Sequence, residues 1–538
     1  SLLNNSSFLS AKLTGFTGGD DRLPMNGDIP NRYDRESLFD WQNYYRYSDK
    51  DVDRLAFDAS YSLFVDGLIS AKDSHNFKFG ILYEDSSTEW VTRRAGGFSY
   101  YDDSWYCDSL DAYFDDPSCA VFSSDWGGDW NLKAKLNGLH FYAQDGWVIG
   151  RFAINAGVRY TQYTGEFKEA SGTVYDQNVW APRLGFVWDL MGDGKMAFKI
   201  HYGRYYDGMA VTIFDREERG DAQSEIEYFD YNFDTGEFDI PAGGSVPAEA
   251  VMDPDIGHPY VDQYVATFEY QIGREMLVGV DYINRESDDI NAMVVSNIGD
   301  YDPQLATNNP LGDDVPFFDL LSPQENLITN PTEATRSYQS VALRFQKRYT
   351  DGWSLDGSLV WSDLTGTADY GVNGYGTGFD DLNGFVNADG NLPFNSEWVF
   401  KVNGSVDLPW GIFMSGFYQY RTGESWTPYA VFEGLFYNDR SPIFMTPRGT
   451  QSLPDRQVLD LKLQKNFGLG GGKVLGLFID AFNVLDSSET TNVREQWGWY
   501  VYDWQDPGAS FWDPSNRFEE VTDIQTPRVV RFGAKFSW

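Results

Sequence analysis

A short segment rich in acidic and amide side chains, FDDLNGFVNADGN, holds the residues best suited to bind a hard cation. Oxygen ligands at close spacing with glycines between them suit Ca²⁺. The segment lacks the strict calcium-loop pattern, in which a glycine follows three alternating oxygen ligands. We therefore name its oxygen-bearing residues only as candidate ligands and Ca²⁺ as the one candidate cofactor. They are Asp380, Asp381, Asn383, Asn387 and Asp389, with Asn391 next in sequence.

Two cysteines, Cys107 and Cys119, lie in an aromatic and acidic segment, WYCDSLDAYFDDPSCAVF. A metal site normally needs four close Cys or His ligands, and the four histidines of this chain are distant in sequence. We therefore expect a disulfide that closes a loop, worth on the order of 3 kcal/mol in the chain-entropy model. Such a bond implies an oxidising compartment and argues against the cytoplasm.

Two histidines, His140 and His201, alternate with apolar neighbours, so their side chains could share a polar interior face. Neither lies beside a nucleophile motif, and the sequence contains no GxSxG or HExxH pattern. We expect these histidines to bond protein groups or water, and we expect no enzymatic activity.

The charge of the chain excludes one class of partner and suggests another. The chain has 81 acidic and 41 basic residues, a net charge of -40, and 17% of its residues are aromatic. So acidic a chain would repel a phosphate backbone, which excludes nucleic acid, and so aromatic a chain is not disordered.

Three segments hold about three quarters of the net charge. Acidic and basic residues number 11 and 2 in 84–130, 14 and 2 in 207–259, and 9 and none in 288–335. A focused negative field favours cationic ligands, basic peptides or calcium and repels anionic ferric siderophores. An acidic surface that only solvates the protein, or suits a salty or calcium-rich habitat, explains the same counts.

The elements that carry these residues are strands of period two. Apolar residues alternate with small or polar ones in segments of about ten residues, which is typical of half-apolar strands. The sequence contains no run of 18 apolar residues. The clearest apolar rows are Phe152, Ile154, Ala156, Val158 and Tyr160; Met276, Val278, Val280 and Tyr282; Trp398, Phe400, Val402, Val406 and Leu408; and Ile412, Met414 and Tyr418.

Short and long connections alternate strictly between these strands. Tight turns are predicted at Asp66-Gly67, Asp145-Gly146, Met191 to Gly194, Ile272 to Arg274, Thr350 to Gly352, Pro409 to Gly411 and Gly468 to Gly472. Long connections are predicted at 17–52, 84–130, 164–178, 207–259, 288–335, 365–394, 423–454 and 487–524. Outer-membrane barrels place tight turns on the periplasmic side and long loops outside. The pattern predicts an all-β, antiparallel transmembrane β-barrel with sixteen strands, from Ser6–Phe16 to Arg528–Trp538.

Aromatic residues should form girdles where such strands cross the two membrane interfaces. Trp147, Trp353 and Trp410 lie at short turns. The residues near the opposite strand ends are Tyr160, Tyr163, Tyr205, Tyr206, Trp361 and Tyr420. A soluble β-protein with an aromatic core is the alternative.

The last segment, RVVRFGAKFSW, alternates and ends on an aromatic residue. Its row Phe532, Phe536 and Trp538 resembles the terminal strand that the barrel-assembly machinery reads. Further segments resemble the TonB-dependent receptors, and within them the Oar-like group. These are FAINAGVRY, WAPRLGFVWDLMGDGKMAFKIHYGRYYDGM, SGFYQYRTGESWTPY and PRGTQSLPDRQVLDLKLQKNFGLGGGKVLGLFIDAFNVLD.

The resemblance implies a 22-stranded barrel filled by an N-terminal plug with a TonB box. This sequence shows neither a plug nor more than about sixteen strands, so we expect residues 1–538 to be the C-terminal part of the barrel, with the plug and first strands apparently absent. The implied function is energised uptake of a scarce or bulky ligand in the bacterial outer membrane. A sixteen-stranded passive channel and a surface receptor or scaffold are the alternatives.

The implied partners are outer-membrane lipid, the TonB complex acting through a plug, the barrel-assembly machinery, and a surface lipoprotein or other envelope protein. No ligand-binding residue can be named from the sequence.

Overall fold

The computed structural model of the protein describes residues 2–4, 6–34, 39–102, 120–125, 130–167, 173–208, 226–232, 234–245, 250–369, 379–437 and 440–538. These residues form strands, turns and short 3₁₀ helices, with no α-helix within the described ranges. No described helix is long and apolar enough to cross a membrane.

Sixteen long antiparallel strands form one sheet, the wall of the barrel. They are β1 (Ser7–Arg22), β2 (Arg46–Asp66), β3 (Asp73–Arg94), β4 (Trp130–Ile149), β5 (Phe152–Phe167), β6 (Thr173–Asp189), β7 (Met196–Tyr206), β8 (Tyr260–Ile272), β9 (Met276–Asp288), β10 (Arg336–Thr350), β11 (Trp353–Gly366), β12 (Trp398–Leu408), β13 (Ile412–Arg421), β14 (Arg456–Gly470), β15 (Lys473–Phe482) and β16 (Val529–Ser537).

Each strand pairs with its neighbours in sequence, so the wall is an up-and-down meander. The pairings among described strands run from β1 to β16 and do not join β1 to β16. A three-residue strand, Leu2–Asn4, pairs with the start of β1. The expected sixteen-strand antiparallel architecture is confirmed, and among the described residues the sheet has two lateral edges.

The register separates two faces along every strand. In β5, Ile154 pairs with Trp147 of β4 and Phe186 of β6, whereas Asn155 pairs with Gly146 and Gly185. Large exposed apolar side chains recur on the first row, and polar or small ones on the second. We call these the lipid-facing and lumen-facing rows, following the alternation of outer-membrane barrels.

Several strands are longer than the sequence pattern predicts. Strands β2 and β3 have 21 and 22 residues, about twice the 9–11 residues that span a bilayer. Their ends therefore extend beyond the membrane on the long-loop side. The predicted long connection at 164–178 is also shorter, because β5 continues to Phe167 and β6 begins at Thr173.

One predicted tight turn is misplaced. Asp145 and Gly146 lie inside β4, and the chain turns at Gly150 and Arg151 instead. Gly150 has φ +58°, a conformation that glycine adopts without strain. The later turn keeps Trp147 paired with Ile154 and extends the lipid-facing row of β4 by two residues, Trp147 and Ile149.

The long connections carry smaller strands and helices. The strands are Asn31–Asp34, Phe39–Trp41, Phe98–Asp102, Ala120–Asp125, Ile226–Asn232, Glu237–Ser245, Ala250–Met252, Ala292–Val295, Tyr301–Ala306, Val315–Leu320, Asn326–Thr329, Gly390–Asn391, Ser425–Trp426, Tyr429–Glu433, Arg440–Phe444, Gln451–Ser452, Thr490–Val493, Gln496–Val501, Phe511–Pro514 and Val521–Ile524. The 3₁₀ helices in these connections are Ala95–Gly97, Ile298–Asp300, Leu382–Phe385 and Pro507–Ala509, whereas Pro409–Gly411 forms the tight turn between β12 and β13.

Candidate functional site

A row of ion pairs crosses the lumen-facing side of β7 to β10. Lys199 Nζ lies 2.6 Å from Glu269 Oε2. The guanidinium of Arg344 lies 3.0 Å from Glu269 Oε1 and also bonds the carboxylate of Asp281. Thr267 donates a hydroxyl hydrogen bond to Asp281 at 2.8 Å. Since each carboxylate faces at least two donors, the charges of this inner wall are compensated across four strands.

A second set of lumen-facing charges joins β14, β15 and β16. Asp480 is 5% exposed; Lys462 Nζ lies 3.3 Å from its Oδ1 and Arg531 Nη2 lies 2.6 Å from its Oδ2. The C-terminal strand is therefore attached to the wall by an ion pair as well as by its backbone ladder. These networks were not predicted from the sequence, although charges at alternate positions in otherwise apolar strands are the signal that marks them.

The two histidines singled out in the sequence, His140 and His201, both lie in lumen-facing rows. His140 is 2% exposed; its Nδ1 lies 2.9 Å from the Thr161 hydroxyl and its Nε2 lies 3.4 Å from Glu84. His201 Nε2 lies 2.8 Å from the Tyr205 hydroxyl. Each histidine is thus held by protein groups, as expected for structural polar residues of the wall.

A segment of the long connection before β8 packs against the inner wall. Met252 and Ile256 of this connection, together with Ile328 of the connection between β9 and β10, are buried with Leu136 and Tyr175, which belong to lumen-facing rows of β4 and β6. This extracellular connection therefore covers part of the lumen near the extracellular ends of β4 to β6.

His258 fixes that inward segment. Its ring is 2% exposed and stacks on Tyr163 with centroids 4.4 Å apart. Nε2 lies 2.9 Å from the Asp207 carbonyl, which can only accept, so Nδ1 accepts from the Tyr175 hydroxyl at 2.7 Å. Burial lowers the pKa of His258 to about 4, and the neutral ring makes both hydrogen bonds.

The last four long connections pack into one structure, which we call the cap. Its core joins residues from each of them: Ala306, Val315, Phe317, Val386, Ala430, Phe432, Leu435, Ile443, Met445, Tyr500 and Tyr502. Phe317 lies 5.2 Å from Phe432 and 5.0 Å from Tyr502 between ring centroids. Tyr429–Glu433 pairs in parallel with Gln496–Val501, which ties two distant connections together. The cap is a packed unit above the wall.

The candidate calcium residues lie at the junctions of this cap. Asp381 accepts hydrogen bonds from the Tyr301 hydroxyl at 3.1 Å, the Asn383 amide at 3.1 Å and the Ser441 hydroxyl. Asn383 is 1% exposed and bonds the backbone of Phe318 through both its amide oxygen and nitrogen.

Asn387 donates to the Phe444 carbonyl at 2.9 Å. Within the described ranges, no three His, Cys, Asp or Glu side chains meet closely enough to hold a metal. The described bonds of Asp381, Asn383 and Asn387 join loops, and calcium binding by the candidate set, which includes Asp380 and Asp389, stays a prediction.

The aromatic residues expected in the girdles separate into two groups. Tyr160 lies 4.9 Å from Trp180 and Tyr206 lies 5.4 Å from Tyr260 between ring centroids, and all four are on lipid-facing rows. Tyr163 and Tyr205 lie on the lumen-facing rows, because the side-chain period of two puts residues an odd number of positions apart on opposite faces. Trp410 is 83% exposed at its turn.

The lipid-facing row of β16 carries the three residues proposed as an assembly signal. Phe532, Phe536 and Trp538 are exposed, and Phe536 and Trp538 lie 5.7 Å apart between ring centroids. Recognition by the assembly machinery stays a prediction. Cys107 and Cys119 lie outside the described residues, and their disulfide also stays a prediction.

A groove of about 750 Å³ lies in the lipid-facing side of the wall. It is lined by Leu9, Tyr61, Phe79, Phe141 and Trp180 among others. Nearly all its lining is apolar, so it suits acyl chains of the surrounding lipid.

Comparisons of the sequence point to one kind of protein. Residues 164–426 match the family described as "Outer membrane beta barrel domain". The chain is 22% identical over 573 residues to the TonB-dependent transporter Oar of Myxococcus xanthus, covering 91% of this chain and 51% of Oar. The chain thus spans about half the length of this curated relative.

Comparisons of the structure agree. The outer membrane transporter YddB of Escherichia coli shares 13% identity and a TM-score of 0.58, over 91% of this chain and 58% of YddB. BauA, the ferric preacinetobactin receptor of Acinetobacter baumannii, shares 9% identity and a TM-score of 0.51, over 99% of this chain and 61% of BauA. The chain is therefore a β-barrel chain of the bacterial outer membrane, and it is similar in sequence to the TonB-dependent transporter Oar.

Proposed function

We propose that this chain forms the wall and capture loops of a receptor that takes up a scarce or bulky ligand by energy from the TonB complex. The observation that carries the proposal is the sixteen-strand wall, whose lumen-facing rows carry the ion pairs of Lys199, Arg344 and Glu269 and whose β1 and β16 edges are not joined to each other. The TonB complex would act through a plug domain, as the homology to Oar implies.

The open edges count against the first alternative, a passive pore of sixteen strands. Such a pore requires a ladder between its first and last strands, since a closed barrel has no edge. The described pairings end at β1 and β16. A receptor of larger circumference accommodates these edges. We propose no enzymatic activity, because His140 and His201 bond structural partners.

The charge of the long connections favours a class of ligand. Segments 84–130, 207–259 and 288–335 carry most of the net negative charge. A focused negative potential raises the local concentration of cations. We propose cationic ligands or basic peptides as the substrate class, with Ca²⁺ bound at Asp380, Asp381, Asn383, Asn387 and Asp389 as a candidate support of the cap.

The barrel-assembly machinery, which would read Phe532, Phe536 and Trp538, and a surface lipoprotein or other envelope protein are proposed partners. A scaffold that only assembles with such proteins is the second alternative.

Uptake in cells with and without functional TonB tests the transport proposal. A labelled library of basic peptides is supplied to cells that express the full protein, and accumulation in the periplasm is measured. We expect accumulation that disappears when TonB is deleted. Equal accumulation without TonB would indicate a passive channel, and binding without accumulation would indicate a scaffold.

A further inference from the structure

A polar cavity of about 230 Å³ lies at the extracellular ends of β11, β12 and β13. Its lining includes three carboxylates, Asp363, Glu397 and Asp455, together with Asn395 and the ring of Trp361. Lysine and arginine are absent from its described lining. The cavity is smaller than the 300–1,000 Å³ typical of drug-sized ligand sites, so it fits a single small polar group.

Hydrogen bonds within the protein orient two of these side chains, Asp455 and Glu397. Asp455 accepts from the Tyr420 hydroxyl at 2.5 Å and from the Gly423 amide at 3.1 Å. Glu397 accepts from the indole nitrogen of Trp361 at 3.2 Å. The carboxylates on two sides of the cavity therefore have fixed orientations, and the indole ring lies beside one of them.

Two other side chains have no described partner. Asn395 is 8% exposed, lines the cavity, and makes no side-chain hydrogen bond within residues 379–437 or the other described ranges. Half-buried Asp363 likewise makes no side-chain hydrogen bond or ion pair there. Side chains as buried as Asn395 are nearly always paired, so its unpaired amide, in a cavity that Asp363 also lines, indicates a place for an external partner.

The basic residues nearest in sequence do not neutralise the cavity. Arg421 and Arg456 both pair with Glu424, and the register puts them on lumen-facing rows of β13 and β14. Trp361 and Tyr420 belong to the lipid-facing rows. The cavity therefore opens on the outer face of the wall, level with the extracellular girdle, and away from the lumen.

We propose that this cavity binds a primary ammonium group presented at the extracellular membrane interface. An ammonium carries one positive charge and three donors, which suit the unpaired carboxylate of Asp363 and the amide oxygen of Asn395, while Glu397 and Asp455 add negative charge around the same cavity. The face of Trp361 adds a cation–π contact, for which indole is the best ring. The group comes from an aminolipid headgroup or a lysine side chain, and this site is independent of the proposed transport.

Binding to purified full-length receptor in polyoxyethylene detergent tests the assignment. The probe is acetyl-Ala-Lys-Ala-amide, and its neutral counterpart carries norleucine in place of lysine. Calorimetry should detect binding of the lysine peptide only, and tenfold more salt should weaken it. Equal binding of both peptides, no binding of the lysine peptide, or equal competition by free glucose would overturn the proposal.

Variants locate the site. Asp363→Asn should weaken the lysine peptide at least tenfold, whereas Asn395→Asp, which adds a carboxylate, should tighten it. Asp356→Asn is the matched control, because Asp356 lies on the same strand in the lumen-facing row, and it should leave binding unchanged. Wild-type affinity in both Asp363→Asn and Asn395→Asp would refute the cavity as the site.

A further experiment with defined lipids distinguishes the two sources of the ammonium group. The receptor is reconstituted with phosphatidylglycerol alone or with added phosphatidylethanolamine, and peptide binding is repeated. Loss of peptide binding only in the ethanolamine lipid assigns the site to the headgroup. Unchanged peptide binding in both lipids assigns it to a lysine of a protein partner.

Discussion

At the residue scale, the inner wall is stabilised by charges that meet across strands. Arg344 contacts Glu269 and Asp281 from β10, and Lys199 contacts Glu269 from β7. No one strand holds a complete set of these partners. The ion pairs therefore favour one register of four strands, since a shift by one residue would send the charges to the lipid-facing side.

Replacing the central arginine tests that role. Arg344→Met removes two hydrogen bonds from Asp281 and one from Glu269, and it leaves the two carboxylates without the positive charge between them. We expect the wall to lose about 1 kcal/mol of stability, a value kept small because Arg344 is partly exposed. Urea unfolding in detergent micelles would measure the loss.

Arg285→Met is the matched control for Arg344→Met. Arg285 also lies on a lumen-facing row but donates to the uncharged Gln263 at 2.8 Å. It should lower stability less, and an equal loss in both variants would contradict a special role for the network.

The lowered pKa of His258 leads to a second prediction at the residue scale. Its pKa is lowered to about 4 by burial, below the ordinary value of about 6.5, so the unfolded segment binds the proton more readily. Stability of the docked segment is fully present above pH 6.5 and declines as the pH falls toward 4, by about 2 kcal/mol at pH 5. The segment should loosen in acid.

Hydroxyl-radical oxidation of methionine side chains would measure how far the docked segment loosens. Met252, 5% exposed in the same cluster, should oxidise faster at pH 5 than at pH 7.5, while Met191, 54% exposed at a turn, gives the reference. In His258→Gln the pH dependence of Met252 oxidation should disappear. Its persistence in that variant would assign the titration to another group.

At the element scale, strand length and turn position set where the wall meets the membrane. The turn at Gly150 keeps Trp147 near the short-turn interface, and the long ends of β2 and β3 carry the chain above it. The position of the lipid-facing row along each strand therefore indicates how deeply that strand sits in the membrane.

The C-terminal strand offers the test for this scale. Phe536→Ser with Trp538→Ser removes two apolar groups from the lipid-facing row of β16. We expect a several-fold lower yield in the outer membrane, because the strand loses both lipid contact and its proposed assembly signal. Membrane fractionation and immunoblotting would measure it.

Lys535→Gln with Ser537→Ala changes the lumen-facing row of the same strand and serves as the matched control for the β16 variant. It should insert normally. Equal yields for the two double variants would refute the lipid-facing assignment.

At the scale of the whole molecule, the wall and the cap are stabilised by different means. The wall depends on backbone ladders and on lipid around its outer row. The cap has a packed aromatic core with fully buried Phe317 and Phe432. A defect in the cap core should therefore open the loops while the wall stays folded.

Phe317→Ala tests the separation. Truncation of a buried phenylalanine costs about 3 kcal/mol, so proteases should cleave the cap connections faster, while resistance of the wall to heating in dodecyl sulfate stays unchanged. Phe511→Ala, at a residue 54% exposed, should leave both readouts as in wild type. Simultaneous loss of wall resistance would show that cap and wall are one cooperative unit.

Much of this architecture was determined by the sequence itself. The alternation in Phe152 to Tyr160 and in Trp398 to Leu408 predicts both the strands and which of their faces points outward. It can be read locally, because side chains that face membrane lipid must be apolar. Turns such as Thr350 to Gly352 also carry their own conformational signal. The number of wall strands follows from these repeats.

The tertiary structure decided what depends on partners distant in sequence. Asp145-Gly146 reads locally as a turn, yet cross-strand pairing carries β4 four residues further. The ion pairs of Arg344, the inward segment held by His258 and the cavity around Asp363 and Asn395 each bring together side chains from separate strands or connections. Long-range pairing sets these contacts, and a local pattern such as a charge at an alternate strand position does not say which residue is the partner.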